Sequence, residues 1–146
     1  MKAIAIRQPW ASLIANGEKT VECRTWKTNY RGPLIVCASK GDIECGDGLV
    51  VPGGVAIAVV DLLDVQPMTK ADLKGAMMDD FEPEELEEVL NGYAWHIKLA
   101  YPIVPVPTKG KLNLFELDIP LEKLPDDYED HLGYLYITQG MTPPKA

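Results

Sequence analysis

A chain of 146 residues, 47% hydrophobic and 25% charged, has the size and balance of one globular domain, which excludes disordered and fibrous classes. Nothing approaches the ~18 consecutive apolar residues of a membrane span, and the start MKAIAIRQPW lacks the apolar run of a signal peptide, so the expected location is the cytoplasm, or the nucleus in a eukaryote. The net charge of −8 is unevenly spread: residues 1–40 hold seven basic groups against two acidic ones, and residues 41–146 hold seven against twenty. Surface charges more than ~8 Å apart are largely screened in cell-like salt, so a local basic face works on an acidic chain. The acidic remainder weakens indiscriminate binding to long polyanions and favours a short, structured or small ligand.

In chain order, residues 3–6 (AIAI) predict a strand. Pro9 suits a first helical turn, Trp10, Leu13 and Ile14 follow at helical spacing, and Gly17 suits the position after a helix end, so 9–16 reads as a helix with Trp10 inward. Residues 20–26 (TVECRTW) alternate: Val21, Cys23 and Thr25 form the core face, and Glu22, Arg24 and Trp26 share the other. PLIVCAS (33–39) and VAIAVVDLLDV (55–65) are nearly continuous apolar runs, as in strands covered on both sides. Thr69 with Asp72 is a capping-box pattern for a helix near 70–78, and Pro83 opens another helix that stops at Asn91-Gly92. Residues 93–103 and 111–119 read as strands, and the proline-rich PIVPVPTKG between them must be extended or edge-like. A short strand at 134–137 and a loose tail at 141–146 complete a single domain over 1–140. The fold class is α+β, a barrel with about three short helices.

Cys23, Cys37 and Cys45 are odd in number and lack C-x-x-C spacing, so they read as reduced thiols, and with His96 and His131 far apart no metal site is expected. No cofactor is expected either. The glutamates at 82, 84, 85, 87 and 88 read as a solvated helix face whose early members suit the helix dipole, with a protein-interaction role as the other reading.

Lys19, Glu22 and Arg24 fall within six positions at a helix-to-strand junction. Arg24 offers a planar fork for a phosphate or a guanine edge, and Glu22 accepts from an amino group such as cytosine N4. A crowded, desolvated Lys19 loses its proton more readily and becomes a base, a shift that Glu22 opposes. The plain alternative is a salt bridge between Glu22 and Arg24. Trp26, on the same face, is the best placed of the three tryptophans for base stacking, worth ~1–3 kcal/mol per base. Lys27, Arg31 and Lys40 extend the positive field, Ser39 closes a strand within reach of a cleft, and Lys109 with Lys111 forms a second basic lip around Gly110.

Three ordered blocks within IRQPWASLIANGEKTVECRTWKTNYRGPL (6–34) carry a resemblance: Gln8-Pro9-Trp10-Ala11, then Gly17-x-Lys19-x-x-Glu22-x-Arg24-x-Trp26, then Tyr30-Arg31-Gly32. Together they resemble the signature of activating signal cointegrator homology (ASCH) domains, a PUA-like group. The likeness extends more weakly over residues 3–118. It implies a PUA-like β-barrel with helices over its openings and a cleft lined by the Gly-x-Lys-x-x-Glu-x-Arg region, with RNA or a nucleotide-like molecule as ligand. It also implies an alternative, a small hydrolase of the N4-acylcytidine amidohydrolase or ribonuclease kind, with Lys19 at the place of a catalytic lysine. Read from the residues themselves, Lys19 would then be the base, Glu22 a proton shuttle or water-orienting group and Arg24 an oxyanion or phosphate clamp. In the deacylating members a threonine stands three residues after the lysine, where this chain has Glu22. The residues expected to contact a ligand are Lys19, Glu22, Arg24, Trp26, Arg31, Ser39 and Lys109.

Overall fold

The two longest apolar runs of the sequence become the middle of a sheet. The computed structural model describes residues 1–41, 43–44 and 50–125. In chain order these form β1 (Lys2–Ile6), α1 (Trp10–Ala15), β2 (Val21–Arg24), β3 (Gly32–Ala38), β4 (Ile43–Glu44), β5 (Val50–Val51), β6 (Val55–Pro67), a 3₁₀ turn (Lys70–Asp72), α2 (Pro83–Leu90), β7 (Tyr93–Pro107) and β8 (Phe115–Glu116). Six strands share one sheet in the order β2-β7-β6-β3-β1-β8, and β4 pairs with β5 alone. β1 and β3 run parallel, and every other pairing is antiparallel.

The alternation of side chains explains why residues 34–38 of β3 and 56–60 of β6 lack a polar face. Leu34, Val36, Val60 and Leu62 point to one side, where they meet Ile4, Ile14 and Trp95 beneath α1. Ile35, Cys37 and Val59 point to the other, where Ala3, Ile103 and Phe115 cover them. Both faces are dry, so a run without polar alternation is stable there. Burial pushes the Cys37 thiol up to about 12, which leaves it an inert core side chain.

β7 runs without interruption through Pro102, Pro105 and Pro107. The expected extended linker is thus the second half of one long strand. Its ladder with β6 slips between Ala56 and Ala58, between Val59 and Val60, and between Leu62 and Asp64. Such irregularities admit prolines, whose missing N–H would interrupt a regular ladder. The strand expected over 111–119 shrinks to Phe115–Glu116, because Asn113 adopts a positive φ of 60° and turns the chain just before it.

Two expectations need correction. Among the described residues the sheet is open, with β2 and β8 as its edges, and does not close into a barrel. β8 contributes only two register pairs, and at the other edge the backbone N–H groups of Thr20 and Val21 both donate to the carbonyl of Gly75. A turn segment, not another strand, therefore finishes that edge. The described helices are two, not three. The Thr69–Asp72 capping box forms as expected, but it starts only a 3₁₀ turn. Gly75 lies against β2 so closely that a Cβ there would sit 2.9 Å from Thr20 Oγ1, and Met77 has a positive φ of 59°. Neither is compatible with a helix continuing to residue 78. The short strand expected at 134–137 and the tail at 141–146 lie outside the described residues.

Candidate nucleic-acid interface

The residues expected to bind ligand are divided by the fold into two groups at opposite ends of β7. Glu22 and Arg24 pair in register with Trp95 and Tyr93 at its start, whereas Lys109 follows its last residue, Pro107.

At the first end, Lys19 is one of the most deeply buried side chains, 1% exposed. Its Nζ donates to the carbonyl of Ala76 at 2.8 Å, lies 3.8 Å from Glu22 Oε1, and sits 4.7 Å from the centroid of the Trp10 ring. Glu22 is also buried. Its carboxylate accepts from the Cys23 backbone N–H at 3.2 Å and from Arg24 Nη1 at 3.4 Å. Expectation placed Glu22 in an open cleft, but both sides of β2 are covered. Val21 and Cys23 meet a satellite cluster of Met68, Leu73, Ala76 and Met78, while Glu22 lies beside Trp95 of the main core. Burial lowers the Lys19 pKa from the ordinary lysine value, and the nearby Glu22 charge opposes that shift. Burial likewise raises Glu22, against the pull of Lys19 and Arg24.

Arg24 is part-exposed, and its guanidinium stands 5.7 Å over the Trp26 ring. Trp26 meets Trp95 edge-on at 4.7 Å, and Trp95 Nε1 donates to the Trp26 carbonyl. The indole expected to stack a base is therefore already packed against a cation and a second indole. Arg31 folds back on its own turn, donating to the carbonyls of Thr28 and Tyr30 at 2.8 Å each, with Asp64 at 3.6 Å. The first block is a fastening as well: Gln8 donates to the Pro52 carbonyl and accepts from the Ser12 N–H, each at 2.9 Å.

At the other end lies an open groove of about 930 Å³, lined by Ala5, Ser39, Lys40, Gly54 and residues 107–112. It brings together Ser39 and Lys109, both expected as ligand contacts, with Lys40, expected to extend the positive field, and Lys111, expected to form a basic lip with Lys109. Among the described residues no carboxylate lines it. Backbone bonds lace its walls: Ser39 N–H to Ile6, Gly54 N–H to Ala38, and Thr108 N–H to Gly54, each at 2.9 Å. Thr108 and Gly54 carried no sequence signal, since their place depends on which strand ends converge. Gly53 holds the neighbouring turn: a Cβ there would sit 2.0 Å from the Ser39 carbonyl oxygen and 2.3 Å from that of Gly41. Gly53→Ala must displace backbone, with an expected loss of about 1–3 kcal/mol in chemical denaturation, the scale of overpacking. An unchanged denaturation midpoint would contradict this account of the groove wall.

Among the described residues no three His, Cys, Asp or Glu side chains are placed to hold a metal ion, and no helix is long and apolar enough to cross a membrane.

The ASCH domain family model matches residues 4–107. The chain belongs to the ASCH family. Its fold is similar to that of ASCH from Zymomonas mobilis in a crystal structure, with a TM-score of 0.56 and 14% identity over 94% of both chains. A single-substitution variant of that protein matches with a TM-score of 0.55 and 15% identity, over 94% of this chain and 96% of the other. At that identity the likeness concerns the fold alone. In sequence, this ASCH chain is 26% identical to activating signal cointegrator 1 of Mus musculus over 79% of its length, but it spans only 22% of that protein. A stretch of 36 residues is 47% identical to the Homo sapiens protein of the same name, covering 25% of this chain and 6% of that one. The family supports a general RNA-binding or related role.

Proposed function

We propose that this ASCH domain binds RNA or a nucleotide-like ligand, and that the ligand lies in the groove at the far end of β7. One observation carries the reading: on a chain of net charge −8, the groove gathers Lys40, Lys109 and Lys111, with no carboxylate among its described lining residues. A concentration of ammonium groups in a concave wall focuses potential toward an anion. Buried Lys19 and Glu22, with the part-exposed Arg24 beside them, then serve the domain from behind, as an ionic node fixing β2.

The test is a titration of the whole chain with short single-stranded RNA and with mononucleotides at several salt concentrations. Binding that weakens steeply with salt and falls in Lys109→Ala, but holds in Arg24→Ala, supports the groove. Loss in Arg24→Ala alone would return the contact to the β2 end. No binding to any of these ligands would remove the reading altogether. The hydrolase alternative requires Lys19 to reach a substrate, and its readout is turnover of N4-acetylcytidine or labelled RNA that disappears in Lys19→Ala.

A further inference from the structure

We infer that the groove grips the sugar–phosphate chain of a nucleic acid and leaves the bases outside. This deepens the reading above and rests on it. Base recognition calls for particular equipment. Base faces are read by aromatic rings, and base edges most selectively by the planar groups of Arg, Asn, Gln or a carboxylate; a lysine ammonium or a hydroxyl also reaches base edges, but as a point donor without a fixed fork. Among the described residues, the groove lining contains no aromatic ring and no planar edge-reading group. What it offers are three point-charge ammonium groups on Lys40, Lys109 and Lys111, and two hydroxyls, on Ser39 and Thr108. The Thr108 hydroxyl donates to the Val106 carbonyl at 3.1 Å, so toward a ligand it presents oxygen lone pairs. That leaves the lysines and the Ser39 hydroxyl as side-chain donors, a set suited to phosphate oxygens.

The rest of the wall is carbon. Ala5 and Pro107 form part of it, and Leu112 stands at the rim with 89% of its surface exposed, the most exposed large apolar side chain among the described residues. Gly110 brings the lysine loop down onto β1, where a Cβ would lie only 2.9 Å from Ala5 Cβ. Lys109 and Lys111 thus flank a point of backbone contact with the sheet, and Leu112 follows immediately. Apolar surface beside ammonium groups matches a chain that alternates phosphate with the carbon face of a pentose. A bare phosphate chain has no use for it.

The experiment compares, at one salt concentration, an RNA decamer, an abasic ribose–phosphate decamer and an inorganic polyphosphate of equal charge. Each is titrated into the wild-type chain and into Leu112→Ser, and the RNA also into Lys109→Ala. The expected result is abasic binding within about threefold of RNA and polyphosphate binding at least tenfold weaker. Leu112→Ser should weaken both decamers while leaving polyphosphate unchanged, and Lys109→Ala should weaken the RNA. Loss of the abasic decamer with retention of RNA would mean that bases are read and would overturn the inference while sparing RNA binding in the groove. Equal binding of polyphosphate, with Leu112→Ser silent, would also overturn it. Failure of every ligand to bind would overturn the underlying proposal with it.

Discussion

Replacing Lys109 and Lys111 together by alanine is expected to weaken short single-stranded RNA by about 25-fold near 0.1 M salt, and to flatten its salt dependence. For single strands, each neutralised phosphate adds about 0.7 to the slope of log affinity against log salt. Taking 1 M salt as the point where counterion release no longer contributes, one lysine is worth about 0.7 log units at 0.1 M, or roughly fivefold. Two lysines then account for the 25-fold loss and a slope change of about 1.4. Both side chains are exposed, and neither forms an ion pair with another described residue, so the fold should tolerate their removal. Fluorescence anisotropy at three or more salt concentrations gives slope and affinity together, and a melting curve checks the fold. A large loss of affinity with an unchanged slope would mean that the lysines act through conformation, and the groove would lose its role as a phosphate contact.

The two ends of β7 show what the sequence could and could not disclose. The local signals were strong. Apolar runs identified β3 and β6, helical spacing identified α1, and Pro83 with Asn91-Gly92 bracketed α2. The three-block signature likewise identified the family. Signature residues nevertheless turn out, in this chain, to be largely fastenings. Gln8 ties α1 to the Pro52 carbonyl, Lys19 and Glu22 are sealed in, and Arg31 closes its own turn. Spacing reports which side chains share a strand face. It does not report what lies over that face, and here the fold from Met68 to Met78 and the main core beside Trp95 decide the burial of Glu22. The groove was harder to see for a related reason. Its lysines lie at positions 40, 109 and 111, and only the convergence of the ends of β1, β3 and β7 with the start of β6 makes them neighbours. Thr69 with Asp72 illustrates the limit at short range: the capping box formed, yet contact between Gly75 and β2 ended the helix after one turn. Tertiary contact overrode a correct local signal.

The largest stability effect should come from Lys19→Ala, with an expected loss of about 3–5 kcal/mol, the scale for breaking a buried ion pair from one side. The Lys19 ammonium satisfies the Ala76 carbonyl, faces Glu22 at 3.8 Å and lies against the Trp10 ring. Its removal leaves the Ala76 carbonyl without that donor and Glu22 in a dry site with Arg24 as its remaining cation, across 3.4 Å. For a chain of this length the loss corresponds to a melting temperature lower by roughly 10 °C. A second variant separates structure from chemistry. Lys19→Met with Glu22→Met replaces the pair by apolar side chains of similar length, an exchange that is often neutral or even stabilising. If Lys19 and Glu22 only secure β2 and the turn over it, the double variant should regain most of the lost stability and bind RNA within about threefold of wild type. Recovery of stability without recovery of binding would mean that the buried ammonium or carboxylate meets the ligand directly, and the contact would then belong at the β2 end. A double variant as unstable as Lys19→Ala would instead show that this node needs its charges, with the Ala76 carbonyl the group that apolar replacement cannot satisfy.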